Sequence, residues 1–138
     1  MSPVRSRLRW TQDRLSRSPS IRSLAGRFHC QLLRFFTTAV EAFGHTPGML
    51  AFNISSGSES VFYSADTLHH FALYNVHPEW HVGFDNDQEL GARTRLRVLN
   101  QVIAERSLVL VPHFPFPGLG HITQQGQVRS WEPIVWHW

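Results

Sequence analysis

Five apolar residues repeat at every fourth position near the start of the sequence: Leu24, Phe28, Leu32, Phe36 and Val40. This spacing predicts a helix with one apolar stripe, which packs on a core or, as the alternative, lies on a membrane surface. The end of the stretch, residues 37–43, is also compatible with a strand.

Shorter apolar runs predict strands. Residues 49–55 and 61–65 flank a Ser-Ser-Gly-Ser turn and therefore predict a β-hairpin. Residues 108–111 are all apolar, which predicts a strand buried on both faces. Residues 121–123 and 128–131, joined through Gln-Gly-Gln, predict a final hairpin. We interpret the C-terminal tryptophans as packing residues: Trp131, Trp136 and Trp138.

A second, clearer helix is predicted after residues 85–87, where Asp-Asn-Asp supplies N-caps. Glu89 adds negative charge to its first turn and Arg106 adds positive charge to its last. Six apolar residues form its predicted buried face: Ala92, Leu96, Val98, Leu99, Val102 and Ile103. Its three central arginines are predicted to form a solvated face: Arg93, Arg95 and Arg97.

Between the first hairpin and this helix, residues 67–84 predict a loop that is rich in histidine and aromatic residues. Such loops line pockets in many proteins, although packing by the loop's own aromatics explains them equally well. Several strands with one dominant helix predict an α+β fold, with a mixed sheet and one long helix.

Composition narrows the classes of protein that remain. The chain has 138 residues, enough for one domain with a core, and 42% of them are hydrophobic. Cys30 is the single cysteine, so an intrachain disulfide and a cysteine-rich zinc site are both excluded. No apolar run approaches the roughly 18 residues of a membrane span, and we expect a cytoplasmic protein.

Positive charge is confined to the N-terminal part of the chain. Residues 1–40 hold eight arginines and one acid, whereas residues 41–138 hold five arginines and nine acids. We therefore divide the chain into a basic Arg/Ser-rich segment, 1–35, partly helical or disordered, and a domain, 36–138. The segment could be a targeting peptide, an arm for nucleic acid or anionic membrane, or sequence without a function of its own. The acidic balance of the domain argues against nucleic acid as its partner.

Three side chains at the ends of predicted elements suggest a metal site. His45 lies in the turn Gly44-His45-Thr46-Pro47-Gly48, Asp66 follows one apolar run, and His113 follows another. The loop after His113 alternates proline and phenylalanine, and its stiffness suits a side chain that must stay in place. A solvated turn histidine remains the simpler alternative for His45 alone.

Five motifs, taken in order and spacing, resemble the C-terminal half of metallo-β-lactamase-fold hydrolases. The branch they resemble contains lactonase-like and methyl-parathion-hydrolase-like enzymes. The motifs are the Gly44–Gly48 turn, Ala65-Asp66-Thr67 followed by His69 and His70, His77-Pro78-Glu79-Trp80, Phe84-Asp85, and residues 112–118, Pro-His-Phe-Pro-Phe-Pro-Gly.

The resemblance implies half of an αββα sandwich with metal ions at the edge of its sheets. It implies that His45 binds the first metal, that Asp66 bridges both and assists proton transfer, and that His113 binds the second. Zinc is the expected metal, with manganese, iron or cobalt as alternatives. The implied reaction is cleavage of a lactone, ester or phosphotriester by metal-bound hydroxide. Five further residues are candidates for the pocket: His69, His70, Trp80, Phe114 and Phe116.

One expected motif of this family is missing. The His-x-His-x-Asp-His sequence that supplies its remaining ligands does not occur in these 138 residues. The chain therefore holds three of the expected ligands and lacks four. Two hypotheses follow: a metal-dependent hydrolase fragment, or a catalytically silent module that binds metal or oligomerises. Half a sandwich would also expose an apolar sheet face, to be covered by a missing N-terminal half or by a second copy of the chain.

Overall fold

A computed structural model describes residues 28–30 and 35–135. Its strands form one seven-stranded sheet in which spatial order follows chain order. One long helix, α1, covers Gln88–Ala104. The strands are β1 (Phe28–Cys30), β2 (Phe35–Glu41), β3 (Leu50–Ser56), β4 (Glu59–Tyr63), β5 (Leu108–Leu110), β6 (Leu119–Gln125) and β7 (Val128–Pro133). The predicted α+β class, with a mixed sheet and one long helix, is confirmed.

All neighbouring strands pair antiparallel except β4 and β5, which are parallel. A parallel pair needs a long crossover connection, and the chain between these strands supplies it with a loop and α1. Since β2 and β4 are both antiparallel to β3, the strands β2, β4 and β5 all run in the same direction. Their carboxyl ends therefore meet at one edge of the sheet.

Both predicted hairpins are confirmed. Strands β3 and β4 turn at Gly57, whose φ of 61° is a conformation that glycine adopts without strain. Strands β6 and β7 turn in the same way at Gly126, with φ 60°. The prediction that β5 is buried on both faces was wrong: Val109 is fully buried, but Leu108 and Leu110 are only partly buried.

The predicted N-terminal helix is wrong wherever the structure describes it. Phe28 lies in β1, and Phe36 and Val40 lie in β2, so this part of the stripe is extended. Antiparallel pairing of β2 with β3 along seven residues outweighs the helical spacing, because it joins the segment to the sheet. Leu24 and Leu32 fall outside the described residues.

Helix α1 begins as predicted. The Asp87 side chain accepts a hydrogen bond of 2.9 Å from the Leu90 amide, which is an N-cap. Two details were wrong: Leu96 is 39% exposed, and Arg106 lies beyond the end of the helix with a φ of 52°. Of the three arginines predicted to be solvated, Arg93 and Arg97 are exposed, but Arg95 is buried.

The core lies between α1 and one face of the sheet. Four buried sheet residues belong to the same hydrophobic cluster as the buried helix residues: Ala51, Phe62, Val109 and Ile122. Because side chains alternate along a strand, the opposite face carries their neighbours. These neighbours are also apolar but only partly buried: Leu50, Phe52, Ile54, Val61, Tyr63, Leu108, Leu110 and Leu119. Within the described ranges, no helix is both long and apolar enough to cross a membrane.

Arg95 joins α1 to the loop that precedes the helix. Its guanidinium donates to the backbone carbonyls of Thr67 at 3.2 Å and of Pro78 and Trp80 at 2.8 Å each. It also lies 3.6 Å from the Asp85 carboxylate and 4.6 Å from the centre of the Tyr74 ring. Burial lowers the pKa of Arg95, and Asp85 opposes this shift. A buried cation with this many acceptors is a structural part of the fold.

We expect Arg95→Met to destabilise the protein by roughly 3–5 kcal/mol, because it leaves three carbonyls and a buried carboxylate without their partner. Urea unfolding followed by circular dichroism measures the change. The matched control is Arg93→Met, since Arg93 is exposed and pairs with Glu89 at 3.1 Å on the helix surface. The control should lose at most about 0.5 kcal/mol. Equal losses in the two variants would contradict this role of Arg95.

Candidate metal centre

The turn that carries His45 is fixed to the start of α1 by its backbone. Gly44 has a φ of 135°, and a Cβ there would lie 2.4 Å from the Gly91 Cα, so the position requires glycine. The carbonyl of Gly44 accepts from the Asp87 amide at 3.0 Å, and that of His45 accepts from the Asn86 amide at 3.2 Å. These contacts hold His45 at the sheet edge where β2 ends.

Asp85 orients the His45 ring. Its Oδ1 lies 3.0 Å from His45 Nδ1, and its side chain is only 1% exposed. A Cβ on Gly91 would lie 2.5 Å from Asp85 Oδ2, so the helix backbone packs directly on this carboxylate. Because Nδ1 is engaged with Asp85, His45 turns its Nε2 toward Asp66 Oδ2, 3.9 Å away. A carboxylate behind a histidine is the arrangement that orients histidine ligands in metal sites.

Asp66 and His113 meet because β4 and β5 are parallel neighbours. Asp66 lies in a short 3-10 turn, Ala65–Thr67, just after β4, and His113 follows β5. The amide of Ser64 donates to the Leu110 carbonyl at 3.0 Å and keeps the two strand ends together. Asp66 Oδ1 lies 2.7 Å from His113 Nε2, and both side chains are about half exposed. Of the three predicted ligands, Asp66 therefore lies within 4 Å of both His45 and His113.

His69 lies in the middle of this group. Its ring centre is 5.4 Å from that of His45 and 5.2 Å from that of His113. Burial lowers the pKa of His69 to about 4, so its imidazole is neutral at neutral pH. Ligand atoms of His45, His69 and Asp85 all lie within 4.8 Å of one another, which makes them a second candidate metal group.

The other pocket candidates do not gather around His45. His70 Nδ1 accepts from the amides of Ala72 and Leu73, at 3.2 and 3.3 Å, and so supports its own loop. Trp80 stacks on His77 at 4.2 Å. Phe114 is buried against Trp131, whereas Phe116 is 78% exposed. Among the five candidates, His69 has contacts with both predicted histidine ligands.

Sequence reasoning missed two residues of the site. Asp85 was interpreted as an N-cap, although it pairs with His45 and Arg95. Phe84 was not singled out for the pocket, although its ring lies 5.8 Å from His45 and 5.0 Å from His69, edge to face. The dipeptide Phe84-Asp85 was part of the family resemblance, which was the one signal that pointed to both residues.

No family model matches the sequence, and no curated protein matches it. Solved structures do match. The dizinc quorum-quenching lactonase AidC is 31% identical with a TM-score of 0.69, over 73% of this chain and 34% of its own. The hydrolase AbOPH of the beta-lactamase superfamily is 26% identical with a TM-score of 0.70, over 73% of this chain and 35% of its own. A probable metal-dependent hydrolase from Staphylococcus aureus, 18% identical with a TM-score of 0.50, shows the same fold.

These matches confirm the predicted resemblance: the chain has part of the metallo-β-lactamase fold. Among its structural relatives are the lactonase AidC and the hydrolase AbOPH. The chain spans about a third of the length of either one.

We expect Asp85→Asn to weaken zinc binding about 10- to 100-fold, because the substitution removes the charge that orients His45. Isothermal titration calorimetry with Zn²⁺ measures the affinity, and circular dichroism checks that the variant is folded. The control is Asp87→Asn, two residues away, where asparagine still caps α1. If Asp85→Asn bound zinc as the control does, Asp85 would have no part in the site.

Proposed function

We propose that this chain carries part of the active site of a metal-dependent hydrolase, in which His45, Asp66 and His113 bind a divalent cation. The observation that supports this most directly is the position of the Asp66 carboxylate between two imidazole nitrogens. One is His113 Nε2 at 2.7 Å and the other is His45 Nε2 at 3.9 Å. The three residues come from three separate connections at one edge of the sheet.

The chemistry of these side chains fits a transition metal. Two imidazoles and a carboxylate are ligands that zinc accepts, and cobalt, manganese and iron accept the same types. The site also holds His69, whose buried ring nitrogens have no hydrogen-bond partner among the described residues. Buried nitrogen without a protein partner, beside these donors, fits a site that holds a bound group.

The residues of the chain have distinct roles in this proposal. His45 directs Nε2 toward the cation because Asp85 holds its Nδ1. Arg95 balances the negative charge of the buried Asp85 carboxylate. Asp66 is the residue that takes up or releases a proton beside the substrate, since its carboxylate is half exposed at the rim. His45, Asp66 and His113 would hold the divalent cation, which would supply Lewis-acid chemistry for activating water and polarising the bond to be cleaved.

The structural relatives suggest the class of substrate. AidC is described as a lactonase in complex with a homoserine product, and AbOPH as a hydrolase. We propose that the reaction is hydrolysis of a lactone, an ester or a phosphotriester, with zinc as the first choice of metal.

A second candidate function rests on the length of the match. The chain spans about a third of AidC, and the His-x-His-x-Asp-His motif does not occur in it. It could therefore be a module that binds metal without turnover of its own. Metal binding alone does not separate the two functions, whereas turnover does.

We expect the purified chain to bind zinc and His45→Ala or His113→Ala to reduce bound zinc to background, because each removes a nitrogen donor. Mass spectrometry of metals after gel filtration gives the stoichiometry, and hydrolysis of a lactone and an aryl ester gives the turnover. The control is His81→Ala, an exposed histidine whose Nε2 lies 3.3 Å from Glu89.

Zinc binding with turnover above buffer would support the hydrolase, and zinc binding without turnover would support the silent module. If the chain bound no zinc, or if the control lost as much zinc as the two site variants, the proposed metal site would be wrong.

A further inference from the structure

His69 differs from the other histidines whose side chains the structure describes. Each of the others has a polar partner: His45 and Asp85, His70 and two amides, His77 and Glu79, His81 and Glu89, His113 and Asp66, and His121 and the Ser107 carbonyl. Both ring nitrogens of His69 are buried, and neither has a hydrogen bond. A buried polar group without a partner costs about 1–3 kcal/mol.

The surroundings of His69 explain why no protein group pairs with it. Two rings pack edge to face on the imidazole, Phe84 at 5.0 Å and Tyr74 at 6.2 Å between centres. The other neighbours are the imidazoles of His45 and His113, at 5.4 and 5.2 Å. Phenylalanine would fill such a position without unpaired nitrogen, so packing alone does not account for a histidine here.

Asp85 does not supply the missing partner. Its ligand atoms lie within 4.8 Å of those of His45 and His69, but its two oxygens already face His45 Nδ1 at 3.0 Å and Arg95 at 3.6 Å. The two imidazoles beside His69, those of His45 and His113, are proposed ligands themselves. A cation on these ligands would give His69 the partner that the protein does not provide.

We propose that His69 is a fourth ligand, so that His45, Asp66, His69 and His113 form a site for one divalent cation from this chain alone. This inference rests on the proposed function, because it adds a donor to the same site. Three imidazoles and a carboxylate are donors that zinc and cobalt accept, and a fifth coordination position would remain for the water of the proposed hydrolysis. The cation would then have four protein ligands without those of the His-x-His-x-Asp-His motif.

The test uses His69→Phe, which keeps an aromatic ring in place and removes both nitrogens. Because the substitution also removes buried unpaired groups, the metal-free variant should be at least as stable as the parent in urea unfolding. Its affinity for Co²⁺, measured from the visible absorption of the bound ion, should fall by roughly 100-fold or more. His81→Phe is the matched control, an exposed histidine that contacts Glu89, and its substitution should leave Co²⁺ binding unchanged.

X-ray absorption of the Co²⁺-loaded parent chain gives a second measurement that needs no variant. Three coordinated imidazoles support the inference, and two overturn it. If His45→Ala and His113→Ala lose Co²⁺ while His69→Phe binds it normally, His69 is not a ligand and the proposed function stands. If the parent chain itself binds no Co²⁺, the proposed function fails and this inference fails with it.

Discussion

The buried pair of Arg95 and Asp85 is the interaction on which the rest of the described structure depends. Arg95 belongs to α1 and binds three carbonyls of the loop between β4 and the helix. Asp85 belongs to the end of the same loop and holds His45. The Arg95 guanidinium therefore fixes this loop on α1. It also neutralises Asp85, the carboxylate that orients the candidate ligand His45. Removal of either charge would leave the other one buried without its ionic partner.

The common direction of three strands explains why His45, Asp66 and His113, which are distant in sequence, lie at the same edge of the sheet. Strands β2, β4 and β5 run the same way, and each is followed by one of the proposed ligands. The glycines at 44 and 91 bring the first turn against the helix, and the Ser64 amide holds the second turn to β5. Backbone contacts thus hold in place the turns that carry His45 and Asp66.

Much of this architecture could be predicted from local sequence. The hairpins show apolar runs around glycine turns, and α1 shows its cap at Asp87. The wrong helix prediction at residues 28–30 and 35–40 has a simple cause: apolar residues at every fourth position also lie on one face of a strand, and the pairing of β2 with β3 favours the strand. The sequence predicts a solvated Arg95, because the helical pattern gives no sign that carbonyls of the preceding loop will bind its guanidinium. The contacts of Asp85 and His69 likewise join residues far apart in sequence.

The order of the strands also has a consequence for how the chain acquires its structure. Each strand pairs with the one next to it in the chain, so most pairing is local and the loops to be closed are short. The exception is β4 with β5, which encloses the loop and all of α1. That closure carries the largest entropic cost in the sheet, and it is the step that brings Asp66 to His113 across 47 residues. Asp66 and His113 therefore meet only when β4 has paired with β5, and a cation bound to both, as proposed, would stabilise the completed fold.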